Sequence, residues 1–330
     1  RQPGWRWDDV EQDFLEISYG YRKGKGAHQA LNAVRDIIYS ENINCVVEAD
    51  IKGFFDNINH DWMDKMLEER IDDKAFIRLI KKWLKAGIIE EWGEVIHPAT
   101  GTPQGGLVSP VLANIYLHYV LDIWFEKRVK ESNRGFCQVI RYADDFVCLF
   151  QTQKEGEQFY EALKQRMEKF GLELSEAKSG VKAFSYWRKP EDTESFEILG
   201  FEFRRTINWK GRKVLERRTS RKRMQASVAA FTKWIKENRH TKKRKLIAMI
   251  IRKLRGYWNY YAISGNSKAV DDIYRHVNKL IFKWLNRRSD KKSFTWEQYN
   301  RFTKRVGIER PRVRRDRPVQ LEFELVVGVI

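Results

Sequence analysis

Cysteine is scarce: three residues in a chain of 330, none of them in a Cys-x-x-Cys pair. That excludes a disulfide framework and a zinc centre built on cysteine. Cys137 and Cys148 fall inside apolar segments, and all three cysteines read as small buried hydrophobes. Long hydrophobic runs are missing as well. None approaches the roughly 18 residues that a membrane span requires, and the start of the chain carries no signal-peptide pattern. The expectation is a soluble, intracellular chain of roughly two domains, at about 150 residues per domain.

Negative charge is nearly absent from one stretch. Between Arg204 and Arg255 there are 20 Lys or Arg against only Glu216 and Glu237, so this stretch carries the whole net charge of +18 and the remainder balances to zero. A solvated helix face is one reading of such a run. Mutual repulsion among so many cations disfavours it unless an anion is bound, and neutralised phosphates release counterions, so the block has the footprint of a nucleic-acid surface.

What the chain does have is a pair of adjacent acids, Asp144 and Asp145, between two segments rich in aromatic and β-branched residues, Phe136–Tyr142 and Phe146–Gln151. The pattern predicts a hairpin. Asp is a favoured turn residue, so a plain polar turn remains open. Paired carboxylates also resist joint ionisation unless a cation neutralises them. A second apolar strand, Cys45–Ile51, ends in Asp50. Carboxylates converging from separate elements suit two Mg²⁺ ions about 3.5–4 Å apart, the arrangement of nucleotidyl transfer. Asp50, Asp144 and Asp145, with the Ile51 carbonyl, would be enough, because Mg²⁺ completes its octahedron with water and phosphate. Strand side chains alternate in direction, so Asp144 and Asp145 need not bind equally, and Asp50 and Asp144 rank first.

Residues Thr100–Pro110 form a glycine-rich loop leading into an apolar helix of about Val111–Lys130. Such loop-to-helix starts can cradle phosphate. Ser109 as N-cap with Pro110 at the first helical position explains the segment equally well. Farther on, three- and four-residue apolar spacing predicts helices at Ser220–Glu237, Lys242–Ile263 and Lys268–Asn286, packed as a bundle with Trp234, Trp258 and Trp284 among its core residues. The aromatic cluster Gly256–Tyr261 could stack on bases, though such clusters more often fill a core. Thr295 with Gln298 makes a capping box for a short last helix.

In this order the segments resemble the reverse transcriptase domain of group II intron-encoded proteins. Ser18–Leu31 resembles that family's early palm motif and Val47–His60 the motif of its first catalytic aspartate. Thr102–Ala113 is similar to the Pro-Gln-Gly motif, Arg141–Asp145 to the Tyr-Ala-Asp-Asp box, Gly171–Ser179 to the lysine-bearing motif, and Phe196–Phe203 to the Leu-Gly primer grip. Leu254–Tyr261, Trp284–Ser289, Lys291–Trp296 and Arg310–Arg312 resemble its thumb, or maturase X, region.

The resemblance implies an α+β fold of right-hand type: a palm of antiparallel sheet and helices over residues 1–206, an all-α thumb over 207–290, and an extension over 291–330. It implies RNA-directed DNA polymerase activity, with Asp50, Asp144 and Asp145 catalytic and two Mg²⁺ ions, for which Mn²⁺ can substitute. Phe55 corresponds to the steric gate against a ribose 2′-OH, with Phe54 a core residue. Gln104 and Gly105 correspond to contacts with the incoming nucleotide, and Lys178 to a lysine near the active site. Asp56 reads instead as a helix N-cap.

Implied partners are an RNA template, a DNA primer, dNTPs and structured intron RNA, with no membrane. The implied location is cytoplasmic, bacterial in type and associated with the nucleoid. Nothing before Ser18 matches the family's fingers strands, which suggests a truncation, a split gene or a junction. No Cys/His cluster points to an endonuclease domain. The alternating tail Val319–Val327 reads as a strand without a family counterpart. Two alternatives share these motifs: an RNA-binding maturase whose polymerase site is idle or incomplete, and a defence- or CRISPR-linked reverse transcriptase.

Overall fold

The computed structural model describes residues 11–84, 100–102, 108–287, 294–308 and 310–313, together with the backbone of 88–89 and 95–96. Gln104, Gly105 and the expected strand at 319–327 lie outside the described residues. The chain divides into two compact units at Leu199/Gly200.

The first unit is built on β1 (Cys45–Ala49), the short pair β2 (Ile88–Ile89) and β3 (Val95–Ile96), β4 (Cys137–Tyr142), β5 (Asp145–Phe150) and β6 (Gly180–Ala183). Its main sheet has the order β4-β5-β1-β6 with every neighbour antiparallel. The register sets Ala49 opposite Phe146 and Val47 opposite Cys148, while Tyr142 faces Asp145. The hairpin expected from sequence is therefore present. Its turn is only Ala143–Asp144, and Asp145 already belongs to β5.

Val47, Val139, Phe146, Cys148 and Phe150 are fully buried, and they share one core with Phe125, Leu163 and Met167. Each such side chain contributes about 1.5–3 kcal/mol on leaving water. Phe54 belongs to this core and Phe55 packs at its margin. All three cysteines are buried and free. The helix Gln153–Lys169 lies against this sheet, its N-terminus capped by the Thr152 side chain.

The helix expected at Val111–Lys130 begins two residues earlier. Ser109–Leu117 is α-helical, two wider π-type stretches follow at His118–Asp122 and Phe125–Val129, and Lys130–Ser132 closes it. Val108, not Ser109, is the N-cap, and Ser109 is a buried first-turn residue. Asp56 is likewise not a cap. It lies inside the short helix Phe54–Asn57, and the next helix, His60–Glu68, is capped by Asn59, whose Oδ1 accepts the Trp62 N–H at 3.1 Å.

The second unit opens with an antiparallel hairpin, Phe201–Ile207 against Lys213–Thr219. Its cross-strand ion pairs join Arg218 to Glu202 at 2.8 Å and Arg204 to Glu216 at 2.5 Å. Helices follow at Arg221–Asn238, Lys243–Tyr261, Ser267–Asn286 and Trp296–Val306. The last carries the Thr295/Gln298 capping box, and Ser220 caps the first. Apolar stripes meet in a core of Ile235, Leu246, Ile250, Val277, Ile281 and Tyr299. Trp234, Trp258 and Trp284 flank that core, each partly buried. Asn266, itself buried, binds the hairpin's end to the helices by accepting the Thr219 N–H at 2.7 Å and donating to the Tyr261 carbonyl at 2.8 Å. No described helix is long and apolar enough to cross a membrane.

Candidate active site

Asp50 leaves the end of β1 and is fixed through its own backbone. Its N–H donates to Ser179 Oγ at 3.0 Å, and its carbonyl accepts the Ser175 N–H at 2.8 Å. Ile51 bridges to Leu174. The 173–179 segment is thereby folded against the strand end, and it delivers Lys178, whose Nζ lies 2.8 Å from Asp50 Oδ2. Lys178 and Asp50 side chains keep 58% and 45% of their exposure, so the pair is open to solvent.

Asp144 comes from the β4–β5 turn and is half-buried. Burial pushes its carboxyl above the usual carboxylate range, and the charge of Asp50 adds to the effect. The two acids thus feel one another, which is the electrostatic condition for sharing a cation. Asp50, Ile51, Phe55, Asp144, Ser175 and Lys178 line one polar cleft. Three separated stretches of sequence converge there.

Asp145 is engaged elsewhere. Its Oδ2 accepts the Leu199 N–H at 2.7 Å, and it does not line the cleft. Among the described residues no three His, Cys, Asp or Glu side chains converge to hold an ion. Asp50 and Asp144 remain, with Ile51 also lining the cleft, and their carboxylate oxygens are hard donors that fit Mg²⁺ or Mn²⁺ with water and phosphate completing the shell.

Phe55 is held from the loop side. Its carbonyl accepts the Thr102 N–H at 2.7 Å, and Gly101 N–H reaches the Ile58 carbonyl at 2.8 Å. Gly101 has φ +92°, and a Cβ there would sit 2.7 Å from the Phe55 oxygen. Only glycine permits this approach without displacing the backbone. The glycine-rich loop therefore begins against Phe55.

Beneath the turn lies a polar group that the sequence reading did not single out. Arg141 is completely buried and donates to Asp122 Oδ1 at 2.8 Å and Oδ2 at 2.5 Å, to Asn114 Oδ1 at 2.9 Å, and to the Ala143 carbonyl at 3.0 Å. Burial alone would raise the Asp122 carboxyl, but the charge and hydrogen bonds of Arg141 outweigh it and hold it below the usual range. The signal in the sequence was an arginine inside an apolar strand, since a buried charge requires a partner.

In the second unit the basic residues of the helices are largely exposed, among them Arg221, Lys222, Lys233, Lys236, Lys242, Lys243, Arg252 and Lys253. Two of the hairpin cations, Arg205 and Arg217, are buried and lie outside any solvent-facing patch.

A palm-like antiparallel sheet with two acids at adjacent strand ends defines the class, and sequence comparison agrees. The family model for reverse transcriptase (RNA-dependent DNA polymerase) matches residues 6–203, and the chain belongs to that family. The model for the group II intron maturase-specific domain matches residues 221–302, which places the chain with the intron-encoded members.

Similar proteins include the group II intron-encoded protein LtrA of Lactococcus lactis, 42% identical over 108 residues, or 33% of this chain and 18% of that protein. The putative COX1/OXI3 intron 1 protein of Saccharomyces cerevisiae is 41% identical over 118 residues, covering 36% of this chain and 14% of its own length. Protein YkfC of Escherichia coli is 31% identical over 174 residues, covering 42% and 44%. The matched segments thus span less than half of each of these relatives. Telomerase from Candida albicans, in a complex with a telomeric RNA fragment, aligns over 92% of this chain and 57% of its own, at 13% identity and a TM-score of 0.48, too low a likeness to add to the assignment.

Proposed function

We propose that the first unit carries the site of an RNA-directed DNA polymerase, extending a DNA primer on an RNA template with dNTPs and Mg²⁺. The observation that carries this is the convergence of Asp50, Asp144, Phe55 and Lys178 on one cleft. Asp50 and Asp144 would hold the metal, with the Ile51 carbonyl beside them. When bound, a metal pair activates the attacking hydroxyl and neutralises charge on the leaving pyrophosphate. Asp145 acts mainly by fixing the turn to Leu199. Lys178 supplies positive charge where a triphosphate would lie and keeps Asp50 oriented. Phe55, held by the Thr100–Thr102 segment, crowds the position of a sugar 2′-OH. Gln104 and Gly105 complete the nucleotide contacts.

The second unit binds the nucleic acid. Its exposed cations suit phosphate contacts, whose affinity falls steeply with salt. The same surface favours a second reading, a maturase that binds structured intron RNA during splicing. Primer extension on an RNA template separates the two. Mg²⁺-dependent incorporation that disappears in Asp50→Asn supports the polymerase. Equal incorporation by the variant rejects it, and tight intron RNA binding without incorporation by either protein favours the maturase.

A further inference from the structure

We propose that Arg141, seated by Asp122 and Asn114, is a positioning residue that sets the metal affinity of the Asp50/Asp144 site by locking the Ala143–Asp144 turn. The proposal rests on the active-site reading above and names residues outside the cleft as its determinants.

The turn is an unusual one to hold. Ala143 has φ +57°, a left-handed conformation that non-glycine residues seldom adopt and that persists only where the surroundings enforce it. The enforcement comes from two sides. From below, one Nη1 of Arg141 donates both to the Ala143 carbonyl and to Asn114 Oδ1. Asp122 takes the Nε and Nη2 donors, so four hydrogen bonds fix the guanidinium plane. From the side, the Ser18–Gly20 segment runs along the edge of β4. Tyr19 N–H donates to the Arg141 carbonyl at 2.8 Å, and Arg141 N–H donates to the Ile17 carbonyl at 3.0 Å.

Asn114 joins the two supports, because its Nδ2 donates to the Gly20 carbonyl at 2.7 Å. Gly20 itself sits so close that a Cβ would lie 2.3 Å from the Ala143 nitrogen. The wider π-type turn at His118–Asp122 forms part of the support. Its i+5 bond, Ile123 N–H to the His118 carbonyl, belongs to the helix segment that presents Asp122 to Arg141. Among the groups facing Asp122, His118 Nδ1 is 3.8 Å from Oδ2, beyond hydrogen-bond distance. The guanidinium therefore reaches from the helix to the turn, and no part of it lines the cleft. A group that orients a ligand without touching the ion typically changes metal affinity by about 10–100-fold when removed.

The test is an EPR titration of the full chain with Mn²⁺, read beside thermal unfolding and near-UV circular dichroism. Wild type is expected to show a Mn²⁺ site that Asp144→Asn abolishes. Asn114→Ala and Gly20→Ala, which both leave the Arg141–Asp122 pair in place, are expected to weaken that site by about tenfold or more while the fold is retained. Arg141→Lys keeps the charge but cannot reach both Asp122 and the Ala143 carbonyl in one plane, and it should weaken the site at least as much. A purely structural role would lower the unfolding temperature and leave Mn²⁺ affinity in the folded fraction unchanged. Folded Asn114→Ala and Gly20→Ala proteins that bind Mn²⁺ within about twofold of wild type would overturn the positioning role alone. A wild-type chain with no Asp144-dependent Mn²⁺ site would overturn the active-site reading along with it.

Discussion

Leu199 donates its backbone N–H to Asp145 Oδ2 at 2.7 Å, and this bond distinguishes two carboxylates that are neighbours in sequence. Asp145 begins β5 and its oxygen is turned to Leu199, whereas Asp144 stays in the turn and lines the cleft with Asp50. Asn at position 145 can still accept the Leu199 N–H, so Asp145→Asn should weaken Mn²⁺ binding by no more than about tenfold. Asp144→Asn removes a proposed ligand outright and should cost about a hundredfold or more, or roughly 3 kcal/mol. Mn²⁺ titration of the two variants checks the order; the reverse order would contradict the assignment.

Lys178 lies 2.8 Å from Asp50 in a partly exposed pair, so on the proposed reading the lysine and a metal would compete for one carboxylate. Lys178→Met should tighten Mn²⁺ binding by up to about fivefold, since exposed pairs are worth about 0.2–1 kcal/mol. The same variant should bind dNTP more weakly, because it lacks a cation beside the triphosphate. A rise in KM for dNTP together with a lower Kd for Mn²⁺ is the expected signature. Unchanged values for both would place Lys178 outside the site.

Glu48, the penultimate residue of β1, has its carboxyl pushed up from the usual 4.5 to about 7, chiefly by burial. The folded state therefore holds this proton more tightly than the unfolded chain. Its contribution to stability is largest below about pH 4.5 and is lost as pH rises to about 7. With allowance for partial solvent screening, about 1–3 kcal/mol is at stake. Glu48→Gln should remove this part of the pH dependence and raise the urea midpoint at pH 8. Equal slopes for wild type and variant between pH 4.5 and 7 would contradict it.

Phe55 packs at the core margin and reaches the cleft. Phe55→Val opens room for a 2′-OH and should raise rNTP use relative to dNTP by about 10–100-fold, the discrimination worth about 1–3 kcal/mol of packing. Competition between dCTP and rCTP at one template position measures the ratio. An unchanged ratio would assign Phe55 to the core alone.

Much of the geometry of the candidate site was legible because strands and turns impose local patterns. Apolar strands flanked the acids, so the hairpin and the strand ending at Asp50 could be read from β-branched and aromatic residues alone. The capping box at Thr295 was visible because it depends on two residues three apart. The division of labour between Asp144 and Asp145 depended on where the turn ended, a matter of one residue in register that strand patterning leaves open. The caps at Asn59 and Val108 were missed for a similar reason, since helix starts shift by one or two residues with little change in pattern. Arg141 was passed over because its partners, Asn114 and Asp122, lie on a different element. Long-range pairing of that kind leaves no periodic trace. Charge in the second unit was legible in amount but not in placement, as the buried Arg205 and Arg217 show.

The central claim is that Asp50 and Asp144 form one metal-dependent polymerase site. Single-turnover incorporation of one dNTP into a DNA primer annealed to RNA, with and without Mg²⁺, tests it most directly. Wild type should extend the primer only with the metal, and Asp50→Asn and Asp144→Asn should each fall by about three orders of magnitude, or about 4 kcal/mol of barrier, while duplex affinity stays unchanged. Extension by either variant at the wild-type rate would contradict the account.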